Sequence, residues 1–305
     1  MLLGLSGCAR KHLFPEDAII QRGGSGELAA AVDSQRLVIF TKGVANTPIE
    51  FTVNGQTVGS DKTDGKGRAS IQVGPGENIS SFTARTKIDG KDVEETGKIY
   101  YWDADKPAIA VDIDETISLT EYINLIWGDG LHSKTLKGSA EAVQELAREY
   151  QILYYSIRPR FMMERTRKWL EKNNFPDGPI IYTDSFHAAF HQIRRKREML
   201  ADLRSRWPNI QIAIGDKTAD VISCNDNHIL PVIVNHRKPK FKQYAIVVQD
   251  WKELTGRSAL LRQYTGYATA GRKHHEDRHP PEASPPVHIA TVHMVSDESP
   301  PDPNR

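Results

Sequence analysis

The chain has 305 residues, and its 40 lysine and arginine residues against 39 aspartate and glutamate residues give a formal net charge of +1 at pH 7. This length has room for two domains or for one large α/β domain. The balanced charge gives no field strong enough to indicate nucleic acid as a partner, and none is expected. The sequence contains no apolar run of about 18 residues, the length that indicates a membrane-spanning helix.

The first eight residues read MLLGLSGC. The run Leu5-Ser6-Gly7-Cys8 resembles the lipobox that ends a bacterial lipoprotein signal peptide, where cleavage precedes a lipidated cysteine. The resemblance implies lipidation of Cys8, a tether to a membrane surface and a location in the bacterial cell envelope. Because the charged start and long apolar region of a signal peptide are missing, we expect the true start codon to lie upstream. The alternative is a cytoplasmic protein with an apolar first few residues.

Residues 9–35 show no firm periodicity, and we interpret them as a linker or a short helix. From residue 36 to 102, short runs rich in β-branched and aromatic residues alternate with turns that contain Gly, Asn or Asp. Closely spaced short strands of this kind predict a small all-β sandwich domain, expected to serve as a binding or spacer module. The predicted strands are Arg36–Thr41, Ile49–Val53, Ala69–Val73, Ser80–Lys87 and Gly97–Trp102.

Residues 103–265 alternate between strand-like and helix-like segments, which predicts an α/β domain with a doubly wound parallel sheet. Residues 266–305 are rich in Pro, His, Ser and charge, and we expect a disordered tail there. The predicted strands of the α/β domain are Ala108–Val111, Gln151–Tyr155, Ile180–Tyr182, Gln211–Ile214 and Ile229–Val234, and its predicted helices are Ser139–Tyr150, Phe161–Asn174 and Ser185–Trp207.

Two aspartates, Asp112 and Asp114, follow the apolar strand Ala108–Val111 directly. Ligands in open α/β sheets bind beyond the carboxyl ends of the strands, and strand alternation directs both side chains to the same side. Adjacent carboxylates repel each other unless a cation lies between them, so a hard divalent ion with oxygen ligands is expected. The alternative is a polar turn with two solvated aspartates.

Three further polar motifs follow in order: Ser156-Ile157-Arg158-Pro159, a basic cluster around Lys196, and the run GDKTAD from residue 215 to 220. An aspartate pair, then serine, then lysine, then a Gly-Asp motif resembles the haloacid dehalogenase superfamily of phosphotransferases. The runs DIDETI, YYSIRPR, KREMLADLRSRWP and IAIGDKTAD are similar, more closely, to lipin-like phosphatases, including the lipin-type domain of phosphatidylinositol-transfer proteins and the actin-patch type of phosphatidate phosphatase. The β-rich front half also resembles the sandwich of the actin-patch type. Glu115 departs from the pattern, because these families more often have Gly or Asp there.

The resemblance implies a haloacid dehalogenase-like fold with a minimal cap, and it assigns roles to four side chains. Asp112 would be the nucleophile that takes the phosphoryl group, and Asp114 the general acid and base. Ser156 would donate to a phosphoryl oxygen, and Lys196 would place a cation against the nucleophile and the substrate. Simpler alternatives are a metal ligand only for Asp112, a role in holding the loop for Asp114 and a solvated basic helix face for Lys196. A helix N-cap is the alternative for Ser156, and it is compatible with the donor role.

The implied cofactor is Mg²⁺, held by Asp112, by the backbone carbonyl of Asp114 and by Asp216. This set fits the preference of magnesium for one or two carboxylates plus substrate oxygen. Asp220 would hydrogen-bond a metal-bound water or Lys196, or it would cap the following helix.

Two residues complete the candidate site. We expect Thr116 to bond the loop backbone and so position Asp114. Arg158 is a candidate for anion binding, although a surface arginine is the simpler expectation. Only about forty residues separate Thr116 from Ser156, which leaves room for a short flap around Tyr122–Leu131 and for no large cap domain.

An open site suits a phosphomonoester on a bulky group. The leading hypothesis is therefore a Mg²⁺-dependent phosphatase of phosphatidate or a related lipid phosphate, working through an aspartyl-phosphate intermediate. One alternative keeps the chemistry and changes the substrate to a nucleotide, a nucleic-acid end or a phosphoprotein. A second alternative is a lipid-binding module without turnover.

Overall fold

The structure is a computed structural model that describes residues 9–36, 40–74, 79–119, 133–183, 192–234, 244–257, 259 and 261–264. Its first part is an antiparallel β region. The strands of this part are β1 (Arg10–Pro15), β2 (Ala18–Gln21), β3 (Gly26–Arg36), β4 (Phe40–Gly43), β5 (Pro48–Val53), β6 (Gln56–Lys62), β7 (Arg68–Val73), β8 (Ser81–Ile88) and β9 (Lys91–Trp102).

The nine strands are hydrogen-bonded in the order β1-β3-β2-β9-β8-β5-β6, with β4 and β7 also paired to β3. Every pairing is antiparallel except that of β2 with β9. Strand β8 alternates exposed and buried residues along its length, as a strand with one face on a core does. Its inward residue Phe82 lies in an apolar core with Leu28, Val32 and Phe51. The prediction of an all-β region at this end of the chain is confirmed.

The interpretation of residues 9–35 as a linker is wrong, because this stretch contains β1, β2 and almost all of β3. Strand β3 pairs with four other strands, β1, β2, β4 and β7. Residues 28–32 read LAAAV and are buried on both faces, so they show no polar alternation that would indicate a strand. Alanine is also depleted in strands, and the partners that hold it here are distant in sequence.

The second part is a parallel sheet with strand order β12-β11-β10-β13-β14-β15. This confirms the predicted α/β class. The strands are β10 (Ala108–Asp112), β11 (Gln151–Pro159), β12 (Ile180–Thr183), β13 (Ile210–Gly215), β14 (Leu230–Ile233) and β15 (Ile246–Val247), and the helices are α1 (Ser139–Ala147), α2 (Met163–Lys172), α3 (Gln192–Arg206), α4 (Thr218–Asn225) and α5 (Trp251–Gly256), with a 3₁₀ turn at Arg160–Met162.

Strand β10 lies at the centre of this sheet and is buried on both faces. Ile109 and Val111 pack into the core formed with α1, α2 and α5, whereas Ala108 and Ala110 pack into the core formed with α3 and α4. The strand order reverses at β10, since β11 and β12 lie on one side and β13 and β14 on the other. The crevice beyond the carboxyl end of such a strand is where ligands of open α/β sheets bind.

The helix expected over Ser185–Trp207 is observed from Gln192 to Arg206. Four other expectations lie outside the described residues: the beginning of that helix, the flap around Tyr122–Leu131, the lipobox at Cys8 and the tail at 266–305. Within the part of the chain that the structure describes, no helix is both long and apolar enough to cross a membrane.

A buried ion pair joins the β region to the parallel sheet. Asp17, in the turn between β1 and β2, accepts hydrogen bonds from Nη2 of Arg167 on α2 at 2.6 and 2.8 Å. It also accepts from the backbone N–H of Ile180 at the start of β12 at 2.8 Å. In addition, Trp102 at the end of β9 packs edge-on against Trp207 after α3, with ring centroids 5.4 Å apart. The two parts therefore share buried contacts.

We expect Asp17→Asn to lower the free energy of unfolding by about 3 to 5 kcal/mol, because it leaves the buried guanidinium of Arg167 without its charge partner. Asp89→Asn is the matched control, since Asp89 pairs with Lys11 in an exposed ion pair. Exposed pairs contribute about 1 kcal/mol or less. Urea unfolding of the whole chain measures both variants, and equal stabilities would contradict the importance of this pair.

Candidate active site

The end of β10 carries the aspartate pair. Asp112 is the last residue of the strand, and the backbone N–H groups of Ile117 and Ser118 both donate to the carbonyl of Ile113, which closes a tight loop around Asp114. Glu115 in this loop has φ of +62°, in the left-handed region that favours glycine. Its carboxylate lies 2.5 Å from Nζ of Lys217, so an ion pair across the loop accompanies this conformation.

Lys196 lies against the end of β10. It is only 2% exposed, and its Nζ donates to Oδ2 of Asp112 at 3.0 Å and to Oδ1 of Asp220 at 2.5 Å. Helix α3 directs it inward because Leu200 and Leu203, one and two turns further on, lie on the same buried face. Burial alone would lower the pKa of Lys196, but the attraction of Asp112 and Asp220 outweighs it and raises the pKa. Lys196 is therefore a buried cation and not part of a solvated face.

The loop after β13 contributes Asp216 and Asp220, both fully buried. Asp220 caps α4, since its Oδ2 accepts from the backbone N–H groups of Asp216 at 3.2 Å and Lys217 at 3.0 Å. A side chain at Gly215 would not fit, because a Cβ there would lie 2.3 Å from Cγ of Asp220. Asp220 therefore combines two of the roles considered for it, helix cap and partner of Lys196.

Asp112, Asp216 and Asp220 each offer one oxygen, and these atoms lie within 4.8 Å of one another. The oxygens of Asp220 already accept from Lys196, Tyr155 and two backbone N–H groups. In contrast, Oδ2 of Asp216 is buried and has no hydrogen-bond partner among the described residues. A buried carboxylate oxygen without a donor is costly, and hard cations prefer such oxygens. The donor set therefore fits a divalent cation held chiefly by Asp112 and Asp216.

The charges of this cluster also favour a bound cation. Burial, together with repulsion from Asp220 and Asp114, raises the pKa of Asp112 to about 6 despite the attraction of Lys196. Burial, with repulsion from Asp220 and Asp112, raises the pKa of Asp216 to about 7. Thr116 donates to Asp112 at 3.2 Å and to Asp216 at 3.3 Å. We expected Thr116 to position Asp114, but it contacts these two aspartates instead. Lys196 and the Thr116 hydroxyl contact this cluster, and the nearby Lys217 is paired with Glu115, so negative charge is left to be neutralised.

Asp114 is held by two residues of β11. Ser156 donates from Oγ to Oδ2 of Asp114 at 3.0 Å. It lies inside β11, and the residue before the 3₁₀ turn is Pro159, so Ser156 is not a helix N-cap. Arg158 donates from Nη2 to Oδ1 at 2.8 Å and from Nε to both oxygens at 3.0 and 3.1 Å. The expectation of a surface arginine is wrong, because Arg158 is 4% exposed. Its charge is tolerated inside the protein because it meets a carboxylate on two nitrogens.

Two residues near the site were not among the sequence candidates. Tyr155 donates to Oδ1 of Asp220 at 3.2 Å, and its ring centroid lies 5.5 Å from Nζ of Lys196. Thr166 on α2 accepts from Nη1 of Arg158 at 2.8 Å. The sequence gives a weak signal for Tyr155, because a Tyr hydroxyl in a strand buried on both faces needs a hydrogen-bond partner. No local sequence pattern indicates the role of Thr166.

Magnesium binding can be tested without a turnover assay. We expect Mg²⁺ to raise the melting temperature of EDTA-treated protein, because a ligand at 100 times its Kd stabilises by about 2.7 kcal/mol. Asp216→Asn should abolish the rise, whereas Asp226→Asn, at an exposed aspartate paired with Arg197, should keep it.

The rise should also depend on pH. The pKa of Asp216 is raised from 3.8 to about 7, so the protonated form stabilises the metal-free fold, and that contribution is lost as the pH increases through about 7. Protons also compete with the metal. Scanning calorimetry should therefore show a larger effect of Mg²⁺ at pH 8 than at pH 5, and an equal effect at both would contradict the assignment of Asp216.

Residues 62–236 match the LNS2 (Lipin/Ned1/Smp2) family. Nuclear elongation and deformation protein 1 of Schizosaccharomyces pombe is 29% identical over 187 residues, which is 53% of this chain and 27% of that protein. Phosphatidate phosphatase LPIN1 of Homo sapiens is 28% identical over 172 residues, 50% of this chain and 19% of that protein. The chain thus spans roughly a quarter or less of these relatives.

Among solved structures, the cobalt-bound deoxy-D-mannose-octulosonate 8-phosphate phosphatase from Haemophilus influenzae aligns at 12% identity and a TM-score of 0.34, over 54% of this chain and 92% of that chain. The family match is the stronger finding, since it extends over more than half of the residues, and it takes in both aspartate motifs, Ser156 and Lys196. The chain belongs to the LNS2 (Lipin/Ned1/Smp2) family.

Proposed function

We propose that the chain is a Mg²⁺-dependent phosphomonoester hydrolase that works through an aspartyl phosphate on Asp112. The observation that carries this proposal is the buried ion pair between Asp112 and Lys196. Asp216 lies close to Asp112, and Asp114 follows Asp112 two residues later in the chain. Membership of the LNS2 family and the relation to a human phosphatidate phosphatase support the reaction class. Phosphatidate or a related lipid phosphate is the proposed substrate.

In the first half-reaction, a carboxylate oxygen of Asp112 attacks phosphorus in line with the leaving oxygen. Oδ2 accepts from Lys196 and Thr116, and among the described residues no donor is bonded to Oδ1, so Oδ1 is the proposed nucleophile. The P–O bond to the leaving group breaks, and Asp114 gives the proton carried on its Oδ2 to the departing alkoxide, while Nε and Nη2 of Arg158 stay in contact with Oδ1. Lys196 stays beside Asp112 and balances negative charge on the phosphoryl group.

In the second half-reaction, water attacks the phosphorus of the aspartyl phosphate. Asp114, now a carboxylate, takes a proton from this water, the bond between phosphorus and Asp112 breaks, and phosphate leaves. Ser156 lies 3.0 Å from Asp114 and donates to it, and in the proposed reaction it offers its hydroxyl to a phosphoryl oxygen. The nucleophile and the acid–base group return to their starting states.

Asp112, Asp216 and the backbone carbonyl of Asp114 would hold the magnesium ion. When bound, the ion would neutralise charge on the phosphoryl oxygens and offset the repulsion among the carboxylates. The orphaned Oδ2 of Asp216 supports this assignment. The high burial of the cluster excludes bulk water, which strengthens each of these interactions.

The lipid substrate and the membrane location form one proposal. Phosphatidate carries its phosphomonoester on a bulky, membrane-bound group, and a lipid anchor on Cys8 would hold the enzyme at a bacterial membrane surface. The name of the human relative and the lipobox-like run at residues 5–8 support it. When the protein is expressed in bacteria with a complete signal peptide ahead of residue 5, replacing Cys8 with Ser should move it from the membrane fraction to the soluble fraction. Unchanged fractionation would remove the anchor from the proposal.

The decisive experiment measures phosphate release from phosphatidate vesicles with Mg²⁺ and with EDTA. Wild type should release phosphate only with Mg²⁺, and Asp112→Asn should lower kcat by at least about 10³-fold, because it removes the nucleophile. Asp226→Asn serves as an Asp-to-Asn control at an exposed residue and should retain wild-type rates.

The other outcomes separate the alternatives. Turnover of a small phosphomonoester without release from vesicles would retain the mechanism and remove the lipid substrate in favour of a nucleotide, a nucleic-acid end or a phosphoprotein. Vesicle binding with no turnover of any substrate would favour a lipid-binding module and overturn the enzyme.

A further inference from the structure

We propose that Arg158 is the positioning residue for Asp114, and that it supports proton transfer to the leaving group without binding the phosphoryl group itself. The proposal rests on the proposed acid–base role of Asp114, and it assigns Arg158 a role other than the anion-binding role considered for it. Two of the three guanidinium nitrogens of Arg158, Nε and Nη2, are bonded to Asp114. The third, Nη1, is bonded to Thr166.

This contact fixes the direction of the Asp114 side chain. The two nitrogens meet the two carboxylate oxygens at 2.8 to 3.1 Å, a bidentate arrangement that defines the carboxylate plane. Asp114 lies in a loop, where a side chain would otherwise have several rotamers, whereas Arg158 extends from β11, which is buried along its whole length. Because β11 holds Arg158 in place, the ion pair with Arg158 restricts the orientation of the Asp114 side chain.

The guanidinium is itself held at its far end. Thr166 is 2% exposed, and its Oγ1 lies 2.8 Å from Nη1 of Arg158. The backbone N–H of Arg158 donates to Oγ of Ser156 at 3.1 Å, so the same residue also orients the second donor to Asp114. The next residue of α2, Arg167, forms the buried ion pair with Asp17 of the β region. Arg158 is therefore fixed by strand, helix and serine, with Asp114 as its one ionic partner among the described residues.

The chemical consequence concerns the leaving group. An alkoxide or phenoxide that leaves without a proton is a high-energy product, so a displaced acid slows departure most for the poorest leaving groups. A misplacement of about 1 Å can cost 10²-fold in rate. Loss of Arg158 should therefore slow poor leaving groups more than good ones. A residue that binds the phosphoryl group would affect both equally.

The test compares p-nitrophenyl phosphate with phenyl phosphate, two substrates of similar size whose leaving groups differ in basicity. The quantity measured is the ratio of kcat/KM for the first to that for the second. The ratio reports the first half-reaction, because both substrates form the same aspartyl phosphate. In Arg158→Lys we expect it to rise about 10- to 100-fold, since an ammonium ion cannot contact both oxygens as the guanidinium does.

Thr166→Val is a second variant that leaves Arg158 in place and removes only the contact at Nη1. We expect the ratio to rise by about 3- to 10-fold, and this variant decides the question if Arg158→Lys does not fold. Arg160→Lys is the matched control, because Arg160 is also buried but contacts Glu16 and Asp33 of the β region instead of Asp114. Its ratio should equal that of wild type.

An unchanged ratio, with both values of kcat/KM lowered by one factor, would overturn the positioning role and assign Arg158 to phosphoryl binding or to the fold. A ratio that rises as far in Arg160→Lys would overturn it too. The proposed mechanism is judged separately with Asp112→Asn, which should abolish hydrolysis of both aryl phosphates. Retained hydrolysis in that variant would remove the mechanism itself, whatever the lipid specificity.

Discussion

The contact between Lys196 and the carboxylates of Asp112 and Asp220 is the interaction on which the aspartate cluster at the end of β10 depends. Three carboxylates without cations could not be buried together, because the cost of removing charge from water is several kcal/mol per ion. The lysine offsets part of this cost at 2.5 and 3.0 Å, and the rest is left for a metal ion at Asp112 and Asp216. Strand β10 sets the position of Asp112, and helix α3 sets that of Lys196. The ion pair therefore restricts how the strand and the helix can move relative to each other.

The residues of this cluster could be predicted because their directions follow from local structure. Asp112 is the first polar residue after an apolar run, and strand alternation fixes its side relative to Asp114. Lys196 could be chosen from a basic cluster only by the resemblance to a family motif, because three neighbouring arginines fit the same helix. The structure distinguishes them by burial: Arg194 and Arg197 are exposed, and Lys196 is 2% exposed.

The burial of Arg158 and the strand β3 could not be predicted, each for a physical reason. Charged residues are rarely buried, and the partner that makes burial of Arg158 possible lies 44 residues away in sequence. Strand β3 has partners on both edges and is buried on both faces at residues 28–32, so this stretch lacks the polar alternation that indicates a strand, and its alanines are not β-branched. Both features depend on contacts between distant segments, which a local pattern does not contain.

The buried ion pair between Asp17 and Arg167 limits where recombination can divide the chain without the loss of a buried contact. The segment shared with the family begins at residue 62, at the end of β6, so it includes Arg167 but not Asp17. A recombination event at that point would separate a buried guanidinium from its carboxylate and would split the β region between two genes. The unit that evolution can move intact is therefore larger than the segment of shared sequence. The β region and the parallel sheet share an interior, because Trp102 of β9 lies in one core with Leu203 and Trp207.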